Sequence, residues 1–193
     1  MKPQLHIISV GTSILTNFSR SQNQPSAYKT ASAYLAANPT QASAEINSLH
    51  AKTNFLADTK ASRKLSISLI FSETADGKKA ATLIKKFLKD KVSAIQMIPL
   101  VGIDRASDAA YSQDDAQSMA EKSLADLQTK LRKHIEKMKP VCQSVQINIS
   151  GGFKAEAAVI YAIGCSQSVP VYYLHESFKT CVNLPAEYSD ISS

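Results

Sequence analysis

Short β-branched apolar runs alternate along this chain with longer stretches in which apolar residues recur three and four positions apart. Leu5-His6-Ile7-Ile8-Ser9-Val10 reads as a first strand. Leu65 to Phe71 alternates and then becomes continuously apolar, as a strand covered on both faces does. Val92 to Leu100, Val145 to Ile149 and Val169 to Leu174 read as further strands. His175-Glu176-Ser177 then turns the chain back, so that Thr180 to Leu184 pairs antiparallel before Pro185 ends it. Between the strands, Ala80, Leu83, Ile84, Phe87 and Leu88 mark an amphipathic helix from Asp76 onward. Met119, Leu124, Leu127, Leu131, Ile135 and Met138 mark a longer one that Lys139-Pro140 stops. Ala155 to Ile163 gives a small-residue helix ending near Gly164. Phe18 to Arg63 holds no convincing strand and is read as one or two helices, with Asn38-Pro39 as an N-cap followed by proline at the first helical position. The breaker-rich Ser19 to Ser26 is expected to be a mobile loop. The pattern predicts an α/β fold: a Rossmann-like open, mainly parallel sheet with helices on both faces and a C-terminal antiparallel strand.

Composition narrows the picture. At 193 residues, with no Gly/Ser-rich or Pro-rich linker, residues 1–193 are expected to form a single domain. The formal net charge of +6 mildly favours polyanionic partners. Lys78, Lys79, Lys85, Lys86 and Lys89 on the first amphipathic helix are read as solvated surface, because no aromatic residues interleave with them. His134 is expected on the surface too. Cys142, Cys165 and Cys181 are widely spaced and form neither a C-x-x-C pair nor a Cys/His cluster, which argues against a disulfide framework or a structural zinc site. No signal-peptide pattern opens the chain and no apolar run approaches membrane-spanning length, so a cytoplasmic protein without a membrane partner is expected.

Candidate chemistry gathers where strands meet turns. Ile147-Asn148-Ile149 runs into Ser150-Gly151-Gly152-Phe153-Lys154 at the start of a helix. Adjacent glycines permit backbone conformations closed to other residues, and the first N–H groups of a helix have no partner inside it. With the Lys154 ammonium beside them, such donors suit an anion or the charge that develops during phosphoryl transfer; a plain strand-to-helix turn has the same appearance. At the other end of the chain the first strand runs into Gly11-Thr12-Ser13-Ile14-Leu15-Thr16-Asn17, and the second ends at Ser72-Glu73-Thr74. Ligands in open parallel sheets lie outside the carboxyl ends of the strands, so these turns are expected to share one crevice. Arg105, in the charged loop Val101 to Ser112, could reach it or pair with Asp104 and Asp108. Neither G-x-G-x-x-G nor G-x-x-x-x-G-K-[ST] is present, which weighs against an ordinary nucleotide enzyme. Asp76-Gly77-Lys78 resembles a fragment of a metal-nuclease motif but lacks a companion acid.

Ser9-Val-Gly-Thr-Ser-Ile-Leu-Thr-Asn17, Ile149-Ser-Gly-Gly-Phe-Lys154 and Tyr172-Tyr-Leu-His-Glu-Ser-Phe178 with Val182-Asn-Leu-Pro185 together resemble the CRISPR-associated Rossmann-fold (CARF) proteins, especially their small stand-alone ring nucleases. The resemblance implies a metal-independent endoribonuclease of type III CRISPR antiviral defence. It would open cyclic tetra-adenylate, or cyclic hexa-adenylate, to linear products with a 2′,3′-cyclic phosphate. It implies Ser13 and Lys154 as catalytic residues, with Gly11, Thr12, Asn17, Ser72, Arg105, Ser150, Gly151, Gly152 and Phe153 holding the ring. Phe153 could equally be a core residue beneath the turn. No cofactor, metal or DNA is implied. A homodimer is, because a two-fold ring fits a two-fold interface. The rival is a non-catalytic cyclic-oligoadenylate sensor that signals to a partner effector. No Arg is followed four to six residues later by His, as in the family's ribonuclease effector domains.

Overall fold

The computed structural model describes residues 2–23, 28–100, 113–152, 154–175 and 177–185. Six strands form one sheet in the order β3-β2-β1-β4-β5-β6. They are β1 (Gln4–Ser9), β2 (Leu65–Ser72), β3 (Ala94–Leu100), β4 (Ser144–Asn148), β5 (Val171–His175) and β6 (Thr180–Asn183). The first five run parallel and β6 pairs antiparallel with β5, as the sequence pattern predicts. The chain steps outward from β1 to β2 and β3, then returns to the other side of β1 with β4. The direction of strand order therefore reverses between β1 and β4, where open α/β sheets place their ligand crevice.

Helices cover both faces. On one face α1 (Ser13–Ser21), α2 (Ala31–Ala37), α4 (Ala44–Thr53) and α6 (Ala75–Leu88) contribute Ile14, Leu35, Ile46, Leu49, Ala80 and Ile84 to a core built on Ile8, Ile67 and Leu69. On the other, α7 (Gln113–Met138) and α8 (Lys154–Ser166) bring Leu127, Leu131, Ile135, Ile160 and Ile163 against Leu5, Ile7, Ile147 and Val171. Alternation along β1 divides Ile7 and Ile8 between the two cores, because successive side chains of a strand point to opposite faces. Lys78, Lys79, Lys85 and Lys86 on α6 and Lys89 at its C-cap are exposed, as expected.

Three expectations need correction. The stretch read as one or two helices contains α1 to α4, with α3 spanning Pro39–Ala42, and a further short turn, α5 (Thr59–Ser62). Pro39 does sit at the first position of a helix, but that helix is one turn long, and Ser43 interrupts the run and caps α4 by accepting from the Ile46 N–H at 3.2 Å. Ser19 to Ser21, expected in a loop, form the last turn of α1; residues 24–27 lie outside the described part. His134 is buried rather than on the surface, its Nε2 2.8 Å from Ser68 Oγ of β2, because α7 turns this one polar position against the sheet. The loop Val101 to Ser112 and the tail from Ala186 lie outside the described residues.

Candidate functional site

Both turns stand at the carboxyl ends of neighbouring strands and touch through their backbones. A Cβ on Gly11 would come within 2.7 Å of the Gly152 amide nitrogen, closer than any side chain tolerates. One on Gly152 would strike Ser9 Oγ, and Gly152 has φ 91°, a conformation that L-residues rarely adopt. Glycine at these positions is what lets the two turns meet.

Beneath the contact lies a side chain that sequence reasoning missed. Glu45, at the second position of α4, is fully buried. Its Oε1 accepts from the Gly11 N–H at 2.8 Å, and its Oε2 accepts from the Ser43 hydroxyl at 2.6 Å and from the Ser13 hydroxyl at 3.2 Å. Gly151 passes so close that a Cβ there would overlap Oε1. No ion pair to Glu45 exists among the described residues, so neutral donors and the amino end of α4 hold the carboxylate. The Ser-Ala-Glu of residues 43–45 is legible as a helix start, but its contact with a turn 34 residues earlier is not.

Ser13 opens α1. Its hydroxyl gives its proton to Glu45 and accepts from the Ala44 N–H at 3.3 Å. Thr12 is exposed at the N-cap position, its side chain making no capping bond. Asn17 ties α1 to the end of α3 through the carbonyls of Gln41 (3.1 Å) and Ala42 (3.3 Å).

The glycine turn is fixed from below. Asn148, fully buried, accepts from the Ser150 N–H at 3.0 Å and donates to Ser48 Oγ of α4 at 2.6 Å. The Ser150 hydroxyl oxygen accepts from the Leu174 N–H of β5 at 2.9 Å. Lys154 is exposed at the first position of α8, directly after the turn. The expected site residues Phe153 and Arg105 lie outside the described residues. Ser72 stands on the far side of β1 from β4. Its oxygen accepts from the Thr74 N–H at 3.3 Å and its hydroxyl donates to Thr74 Oγ1 at 3.2 Å, bracing the cap of α6. The structure thus brings Gly11, Ser13, Gly151 and Gly152 together, with Asn17 and Ser150 along one margin.

That margin is an open cavity of about 350 Å³ lined by Asn17, Gln41, Asn47, Ser150, Leu174 and Lys179. Lys179, which sequence reasoning also missed, is held in the β5–β6 hairpin at φ 52° with its N–H on the His175 carbonyl at 2.8 Å. A larger cavity of about 510 Å³, bordered by Lys52, Lys139 and Gln143, opens at the amino ends of β4 and β5. The turns and their donors are at the opposite ends of those strands. Among the described residues no three His, Cys, Asp or Glu side chains gather as a metal-binding set.

A buried polar net continues from the site into the sheet. His6 of β1 places Nδ1 2.9 Å from the Tyr172 hydroxyl, and Tyr172 stands opposite Asn148 in the β4–β5 register. Burial, reinforced by the Lys52 ammonium, lowers the His6 pKa to about 4; burial pushes the Tyr172 phenol well above its ordinary value. His134 is also lowered, by burial and then by Lys137.

The sequence profile of a family described as CRISPR-associated protein (Cas_APE2256) matches residues 40–187, most of the chain. No curated protein matches. Among the described residues no helix is long and apolar enough to cross a membrane.

Proposed function

The chain belongs to the CRISPR-associated Cas_APE2256 family, and from that premise we propose that it is a ring nuclease, a metal-independent endoribonuclease that opens cyclic tetra-adenylate. One observation carries the reading: the Gly11 and Gly152 backbones meet at the switch point of the sheet, so that Ser13 and the start of α8 with Lys154 flank one crevice. Metal-free RNA cleavage needs a ribose 2′-hydroxyl aligned with its phosphate and donors for the charge on the pentacoordinate phosphorus. Ser13 aligns the reacting groups, Lys154 stabilises the developing charge, and the turn amides hold the ring backbone. The 350 Å³ cavity is too small for four nucleotides, which favours a homodimer in which each chain contributes half the pocket; the chains themselves are read as cytoplasmic and single-domain.

The test is single-turnover cleavage of radiolabelled cyclic tetra-adenylate in EDTA, beside direct binding of the same ring. Lys154→Ala should lower the cleavage rate about a hundred-fold to a thousand-fold while leaving affinity within a few-fold, the mark of an interaction made mainly in the transition state. Equal losses of rate and affinity reduce Lys154 to a ligand clamp. Activity that vanishes in EDTA and returns with magnesium refutes the metal-free mechanism.

The second reading, a sensor that binds the ring without cutting it, draws on one feature: the Ser13 proton is directed to Glu45 and not into the crevice. Tight binding with no linear product in the same assay establishes it.

A further inference from the structure

Glu45 has no place in the chemistry just described, yet its carboxylate is the most enclosed ionisable group at the crevice. A carboxylate stripped of water is costly unless donors satisfy it, and a core position of this kind would be more cheaply filled by an apolar residue. Three donors converge on Glu45, and two of them, the Gly11 N–H and the Ser13 hydroxyl, belong to the β1 turn that faces the crevice. The geometry at Ser13 is directional. The Ala44 N–H occupies one lone pair of Oγ and the hydroxyl proton points to Glu45 Oε2, so Oγ has one lone pair left to accept with. A serine arranged in this way cannot donate to a phosphate without breaking its bond to Glu45. It can accept a proton and hand its own on.

We propose, resting on the ring-nuclease reading, that Glu45 is a positioning residue and proton acceptor that acts through Ser13. As the ribose 2′-oxygen forms its bond to phosphorus, the 2′-hydroxyl proton moves to Ser13 Oγ and the Ser13 proton moves to Glu45 Oε2. The phosphorus–O5′ bond breaks, and the Lys154 ammonium gives a proton to the departing 5′-oxygen. The product is an isomer of the ring, with no water consumed. Glu45 then returns its proton through Ser13 to solvent, and Lys154 takes one up. Among the described residues, the other titratable groups around this junction are Glu156, whose carboxylate lies 3.3 Å from where a Gly152 Cβ would sit, and Lys179, which lines the cavity together with Ala44 and Ser150. The first turn of α1 carries no acidic residue, so that element supplies no competing acceptor.

The experiment compares wild type, Glu45→Gln, Ser13→Ala and the double variant in single-turnover ring cleavage, with ring binding and thermal melting measured alongside. Glutamine keeps an acceptor for the Gly11 N–H and can donate to Ser13 Oγ, so the turn keeps its shape while the proton acceptor is gone. The expected result is binding within a few-fold of wild type and cleavage lower on the order of a hundred-fold or more. The double variant should be no slower than the worse single one, because residues acting as a unit are not additive. Cleavage by Glu45→Gln near the wild-type rate, or additive losses, overturns the relay while leaving the ring-nuclease reading standing. If Glu45→Gln does not fold, Ser13→Ala decides: cleavage by that variant near the wild-type rate overturns the relay. A wild-type protein that neither binds nor cuts the ring refutes the functional reading, and the relay with it.

Discussion

Acid should destabilise this protein through one histidine at the centre of its sheet. His6 is 1% exposed on β1, its Nδ1 is engaged by the Tyr172 hydroxyl, and its Nε2 has no partner among the described residues. A charge placed there would be cut off from water and repelled by Lys52, which lowers the pKa from 6.5 to about 4. The folded state therefore holds the neutral ring while the unfolded chain takes up a proton as pH falls below 6.5. Stability is complete above that value, declines between 6.5 and about 4, and reaches its full loss below the lower figure. At about 1.4 kcal/mol per pKa unit, the whole shift corresponds to about 3 kcal/mol, of which about 2 kcal/mol is gone by pH 5. For a chain of this size that is a fall in Tm of about 4–8 °C.

Other groups titrate in the same window, His134 among them, so the measurement is a difference. Urea unfolding of wild type and His6→Gln at pH 7.5 and pH 5 isolates the contribution of the ring. Wild type should lose about 2 kcal/mol more than the variant over that interval. Parallel pH dependences of the two proteins would refute the reasoning, whatever their absolute stabilities.

Two further outcomes follow from the same geometry. Gly151→Ala sets a methyl group against the Glu45 carboxylate and within 2.8 Å of the Ser9 carbonyl, so it should displace the turn and lower ring binding at least ten-fold while melting shifts by only a few degrees; unchanged binding counts against the turn as the ligand cradle. Tyr172→Phe removes the partner of His6 Nδ1 and leaves a buried ring with neither nitrogen satisfied, which should cost about 1–3 kcal/mol in denaturant unfolding; a loss below about 0.5 kcal/mol would mean that water takes over the bond.

The architecture was legible wherever burial and periodicity coincide. Leu65 to Ser72 and the Leu127, Leu131, Ile135 stripe of α7 present uniform apolar faces to the two cores, and their patterns point to the elements that form. The region of α1 to α5 was not resolved from sequence, and the reason is visible in α4. Ile46 and Leu49 recur there at helical spacing, but Ser43, Glu45 and Ser48 are buried beside them, so the break at Ser43 and the polar part of the inward face do not show in the apolar pattern. The cation from the hairpin was hidden differently: Lys179 reaches the cavity only because a positive-φ turn folds β6 back beside β5. Glu45 was missed because its meaning lies in contacts with residues 32 and 34 positions away.

These buried polar residues form a connected structure. His6 meets Tyr172, Tyr172 stands opposite Asn148 in the β4–β5 register, Asn148 meets Ser48, and the Ser48 hydroxyl donates to the Glu45 carbonyl at 3.1 Å. Asn148 holds the Ser150 amide, while Glu45 holds Gly11 and Ser13. The two turns of the crevice are thus fastened at their undersides to one hydrogen-bonded net that joins β4 to α4. Such a net costs stability if any member is left unpaired, and that cost makes it hold one geometry. Glycine turns alone would be free to move. Fastened from beneath through the Gly11 and Ser150 N–H groups, the two turns are held in place before any ligand arrives, and a site that is already in place stabilises a developing charge without having to reorganise.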